Sequence, residues 1–139
     1  MKLKIIIIIA IIFTSTVFSQ KVELSKSNFV LIDKKDWMKF NTDSADDLSL
    51  VNNSNATLIV IRSLRKVSVD LQSEINPEGF LYYANIKFPT LNKEFEIQMN
   101  KEEVLLLLFK SKVITNNGEL DVSIVELLLK KHREIYSAK

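Results

Sequence analysis

The chain has no cysteine, two glycines, two prolines, one histidine and one tryptophan in 139 residues. Without thiols there is no disulfide framework, no cysteine-based zinc site and no cysteine nucleophile. The two glycines, Gly79 and Gly118, stand too far apart to form a phosphate loop, a dinucleotide-binding fingerprint or a G-x-S-x-G elbow. The same scarcity of glycine and proline excludes collagen-like and low-complexity classes. Charge of one sign is also missing: 19 basic residues face 17 acidic ones, a formal net charge of +2. That is too small an excess for a protein that binds nucleic acid through a basic surface.

What is present begins with a segment unlike the rest. Lys2 and Lys4 precede an unbroken apolar run from Ile5 to Phe13, and Thr14, Ser15 and Thr16 lead to Val17-Phe18-Ser19. A charged start, a short apolar core and compact residues at the exit form the pattern of a secretory signal peptide. Residues 1–19 are therefore expected to be removed between Ser19 and Gln20. A spanning helix needs about 20 apolar residues, whereas Ile5 to Phe18 offers fourteen, three of them hydroxylated. No cysteine follows the run to serve as a lipoprotein anchor. The expected mature product is one globular domain, residues 20–139, exported to a periplasm or beyond and free of the membrane. Loss of Lys2 and Lys4 leaves 17 basic residues against 17 acidic ones. The leader, the Ser19-Gln20 junction and the Lys, Ile and Asn bias resemble an exported protein of a bacterium with an AT-rich genome.

The mature chain expects an α+β fold: an antiparallel meander of about five to seven strands over residues 22–99, then two C-terminal helices. Asn28–Ile32 and Trp37–Phe40 flank a polar turn and read as a hairpin. Leu48–Val51 reads as a short strand before the turn cluster Asn52–Asn55. Ala56–Leu64 is β-branched and almost continuously apolar, as in a strand covered on both faces. Lys66–Leu71 alternates, with Val67, Val69 and Leu71 on one side. Asn76-Pro77-Glu78-Gly79 is a turn in which Pro presets φ and Gly accepts positive φ. Phe80–Phe88 and Glu94–Met99 alternate again. The chain holds eleven asparagines, which tolerate left-handed turns where glycine is rare.

The period then changes. Asn100 with Glu103 forms a capping-box pattern ahead of Val104–Lys110, so a helix is expected over about 101–111. Asp121 is placed to cap a second helix over about 121–137, in which Val122, Val125, Leu128, Leu129, His132, Ile135 and Tyr136 recur at helical steps. Residues 113–121 fit either a helix–helix loop, which is preferred, or a hairpin arm, since Asn117-Gly118 suits a type I′ turn.

Candidate sites are sparse. His132 has no carboxylate or nucleophile tied to it by sequence and reads as a structural residue near a helix end. Asp43, Asp46 and Asp47 look calcium-like but lack the glycine and the distal glutamate of a calcium loop. Glu102 and Glu103 diverge by about 100° on a helix and already suit its N-terminus. No catalytic residue, metal site or cofactor is therefore expected. Arg62, Arg65 and Lys66 form the densest basic cluster, which fits anion recognition or an ion pair with Asp70, Glu94 or Glu96 on a neighbouring strand. Trp37 and Tyr83 are the aromatics whose polar tips suit an interface. The binding candidates are thus Arg62, Arg65, Trp37 and Tyr83. Asn52-Asn53-Ser54 and Asn55-Ala56-Thr57 match the N-glycosylation pattern. Asp43-Ser44-Ala45 is similar to the motif of bacterial periplasmic O-glycosylation, which would modify Ser44.

These features point to a small exported, non-enzymatic domain that binds another exported protein or an envelope component. Two alternatives remain open at this point. One is a small-ligand carrier with an apolar cavity between sheet and helices, and the other a carboxylate-dependent hydrolase.

Overall fold

The computed structural model describes residues 20–43 and 47–138. Seven strands run in chain order across one antiparallel sheet. They are β1 (Val22–Leu24), β2 (Phe29–Ile32), β3 (Lys35–Thr42), β4 (Leu48–Val51), β5 (Thr57–Val67), β6 (Phe80–Phe88) and β7 (Lys93–Ile97). Two helices follow, α1 (Lys101–Ser111) and α2 (Val122–Lys131). The expected α+β architecture is the one observed, a meander with its helices at the C-terminal end.

The register aligns the apolar side of each alternating strand. Leu48 pairs with Ile61, Ile61 with Ile86, and Ile86 with Phe95. Phe40, Leu50 and Ile59 form a second row. Val104, Leu105 and Leu108 of α1 and Val125 and Leu128 of α2 complete the same core. Burying each such aliphatic or aromatic side chain contributes about 1.5–3 kcal/mol. The turn between β2 and β3 has two residues, Asp33 and Lys34, both with positive φ, as a type I′ turn requires.

Two bulges depart from simple alternation. Val30 pairs with Met38 but Leu31 pairs with Asp36, so Trp37 is an extra residue on β3. Leu50 pairs with Ile59 but Val51 with Thr57, so Leu58 is extra on β5. A bulge re-aims the side chain it carries. Leu58 is buried beside its neighbour Ile59, and Trp37 meets α1, as described below.

β5 extends past the expected end at Leu64 as far as Val67, pairing with β6 from Val60–Lys87 to Val67–Phe80. The alternation read over Lys66–Leu71 breaks there, and residues 69–71 form a 3₁₀ turn with Val69 exposed. The reason is local: Ser68 N–H donates to the Gly79 carbonyl and Leu71 N–H folds back to Ser68. β1 was hidden in the sequence because three residues carry too little periodicity to register.

Both helix starts follow their caps. Glu103 N–H donates to Asn100 Oδ1 at 2.8 Å and Asn100 N–H to Glu103 Oε1 at 3.2 Å. Asp121 Oδ1 accepts from Ser123 and Ile124 N–H. The end of α2 differs from expectation, stopping at Lys131 rather than near Ser137. His132 leaves helical geometry and stacks on Phe95 at 5.4 Å. Beyond it, Ser137 N–H and Oγ donate to Glu96 Oε1 at 3.0 and 3.1 Å, while Lys66 Nζ donates to the Ser137 carbonyl. Successive strand residues point to opposite faces. The tail therefore meets Phe95 on one face of the edge strand β7 and Glu96 on the other, wrapping its edge. These tertiary contacts outweigh helix propensity. Glu126 of α2 pairs with Lys93 of β7.

His132 gives a pH-dependent stability. Its Nε2 is buried, with no hydrogen-bond partner among the described residues. Burial, and secondarily the nearby Lys131 charge, hold its pKa below the ordinary 6.5. The folded state therefore disfavours the imidazolium that the unfolded chain accepts. Stability falls as pH drops below the unfolded value, and the loss levels off below the folded one. Urea unfolding of wild type at neutral and mildly acidic pH should show that loss, and His132→Phe should reduce it. Equal pH dependence in the two proteins would contradict the assignment.

Candidate ligand-binding cleft

Phe29, Lys39 and Val51 stand side by side across β2, β3 and β4. The bulge on β3 places Trp37 against Phe109 of α1, ring edge to face at 5.4 Å. Between these strands, the C-terminal turn of α1 and the loop to α2 lies a cleft of about 900 Å³. That is the size range of small-molecule and cofactor sites, about 300–1,000 Å³. Its floor is aromatic: Phe29, Trp37 and Phe109, all half-buried.

Two asparagine-rich turns form the rim. In the first, Asn52 Oδ1 accepts from Ser54 and Ala56 N–H, each at 3.0 Å. In the second, Thr115 N–H donates to the Glu119 carbonyl at 2.8 Å and Gly118 N–H to Thr115 at 3.0 Å. A bridge between Ile114 and Leu120 closes that loop. The segment 113–121 is thus a helix–helix link with a hairpin-like neck, combining the two forms its sequence suits. The turns adjoin, since a Cβ on Gly118 would stand 3.7 Å from Asn52 Cβ.

The polar groups around the cleft are largely uncommitted. Asn53, Asn116 and Asn117 line it, and their amides make no hydrogen bond among the described residues. Lys39 Nζ donates to Asn55 Oδ1 at 3.1 Å. Lys110 and Lys112 also line the cleft and have no ion pair among the described residues. Among the described residues, the one carboxylate in the lining, Asp121, is already turned to the N-terminus of α2. The cleft therefore offers hydrogen-bond donors and positive charge above an apolar floor, without the paired acids that glycoside cleavage uses. Among the described residues no three His, Asp or Glu side chains cluster so as to hold a metal ion.

Of the four binding candidates from sequence, Trp37 alone lies in this cleft, and the others are not brought to it. Arg62 Nε donates to Asp47 Oδ2 at 2.9 Å, so its partner is Asp47 rather than Asp70, Glu94 or Glu96. Arg65 sits over the Phe80 ring, 4.4 Å from its centroid. Tyr83 is buried, stacked with Tyr136 of the tail at 6.2 Å. Asp47 N–H donates to Asp43 Oδ1. Ser19, Ser44 and Asp46 lie outside the described residues. Gln20, the expected first residue after cleavage, borders the cleft.

Phe29, Lys39, Phe109, Lys110, Lys112 and the rim asparagines escaped the sequence reading. Their one visible signal was the pair of Asn clusters, which turn chemistry already explains. Comparison with known proteins finds no matching family model, no matching curated protein and no matching solved structure.

Proposed function

We propose that the chain is an exported, non-catalytic binding module that holds a polar envelope component in the cleft beside Trp37. The observation that carries this reading is the set of side chains Asn53, Asn116, Asn117, Lys110 and Lys112, without partners among the described residues, beside the aromatic Phe29, Trp37 and Phe109. Polar groups left uncommitted around a concave apolar surface are the normal makeup of a small-ligand site. The leader pattern of residues 1–19 supports export. Purified from the exported fraction, the protein should begin at Gln20 by mass spectrometry, and retention of Met1 would contradict export with cleavage.

Trp37 is the sole tryptophan, so its emission reports on the cleft. Titration with soluble peptidoglycan fragments and with neutral and acidic oligosaccharides should give a saturable change for at least one of them. By calorimetry, Trp37→Ala should weaken that binding about tenfold, or about 1.4 kcal/mol. A protein that keeps its fold and answers none of these probes would overturn the reading.

A further inference from the structure

We propose that the occupant of the cleft is an acidic oligosaccharide, a chain of hydroxylated rings bearing carboxylates. The inference deepens the function proposed above and rests on it. Three chemistries converge in one lining. The Trp37, Phe29 and Phe109 rings offer an apolar surface for the C–H faces of a sugar. The Asn53, Asn116 and Asn117 amides each carry two donors and an acceptor, which suits pairs of ring hydroxyls. Lys39, Lys110 and Lys112 supply cations, while Asp121, the one carboxylate of the lining among the described residues, caps α2.

The charge in the cleft is local, since basic and acidic residues balance over residues 20–139. A neutral sugar would leave these ammonium groups without counter-charge. Compact phosphate is disfavoured by the geometry. Phosphate sites draw on helix N-termini and glycine-rich loops. Here the α2 N-terminus that borders the cleft is already capped by the Asp121 carboxylate. Separate lysines acting as point charges suit single carboxylates spaced along a chain.

The experiment compares oligogalacturonate, its methyl ester and ATP on the purified protein, read by Trp37 emission. The ester keeps the sugar chain and removes the charge. Oligogalacturonate should bind saturably, at least about tenfold tighter than the ester, and weaken as salt is raised. Lys110→Gln with Lys112→Gln should remove most of that preference. Equal binding of acid and ester would overturn the acidic ligand and leave the cleft reading standing. Binding of ATP in preference to the acid would also overturn it. Because the acid–ester comparison uses wild type, failure of the double variant to fold would not shield the inference. Silence of every probe here and in the wider panel would overturn both readings.

Discussion

Leu105→Ala should destabilise the protein by about 3 kcal/mol, one of the two largest single-residue effects expected. Leu105 is fully buried in α1, within the cluster that joins both helices to the sheet. Truncation loses the transfer free energy of the side chain and leaves a cavity that the sheet cannot collapse to fill. Leu106, the next residue, is only half-buried. Leu106→Ala should therefore cost less than half as much. Urea unfolding with an unchanged m value measures both. Equal losses would mean that α1 does not pack as described.

The second large effect is at Gly79. Its φ is +69°, and an added Cβ would stand 2.2 Å from the Ser68 carbonyl oxygen. That oxygen is backbone, at the point where Ser68 N–H donates to Gly79 O at 2.8 Å and closes the β5–β6 connection. Gly79→Ala combines left-handed strain of about 1 kcal/mol with a clash that must displace the hairpin neck, for at least about 2 kcal/mol in all. Gly118→Ala is the internal comparison. Its φ is also positive, but the nearest atom to the new Cβ is Asn52 Cβ at 3.7 Å. It should lose only the strain, about 1 kcal/mol. A larger loss at Gly118 than at Gly79 would contradict the geometry of both turns.

Gly79 also shows what a sequence states openly. The Asn76-Pro77-Glu78-Gly79 turn, the caps at Asn100 and Asp121, and the alternation of Phe80–Phe88 are local patterns with local causes. Together they specify the meander and both helix starts. Where distant segments meet, local pattern is silent. Tyr83 belongs to an alternating strand whose far face would be exposed, yet Tyr136 covers it. The bulges at Trp37 and Leu58 depend on how neighbouring strands match, not on either residue alone. Arg62 finds Asp47, whose N–H is held by the Asp43 carboxylate.

The cleft is the extreme case. It is assembled from β2 and β3, the turn after β4, and the segment from Phe109 to Asp121. No window of sequence contains more than one wall of it. Its asparagines look like ordinary turn residues until the fold brings two turns together. Its lysines look like helix-end cations until Asp121 is found committed elsewhere.

The central claim is that ligand sits between those two turns over Trp37. Amide chemical-shift mapping of the isotope-labelled protein with oligogalacturonate tests it most directly. The largest shifts are expected at Lys39, Asn53, Lys112, Asn116 and Asn117, together with the Trp37 indole N–H. The far end of the β5–β6 hairpin exposes Val67, Ile75 and Tyr82, a competing apolar surface. Shifts concentrated there, with the cleft unmoved, would contradict the account.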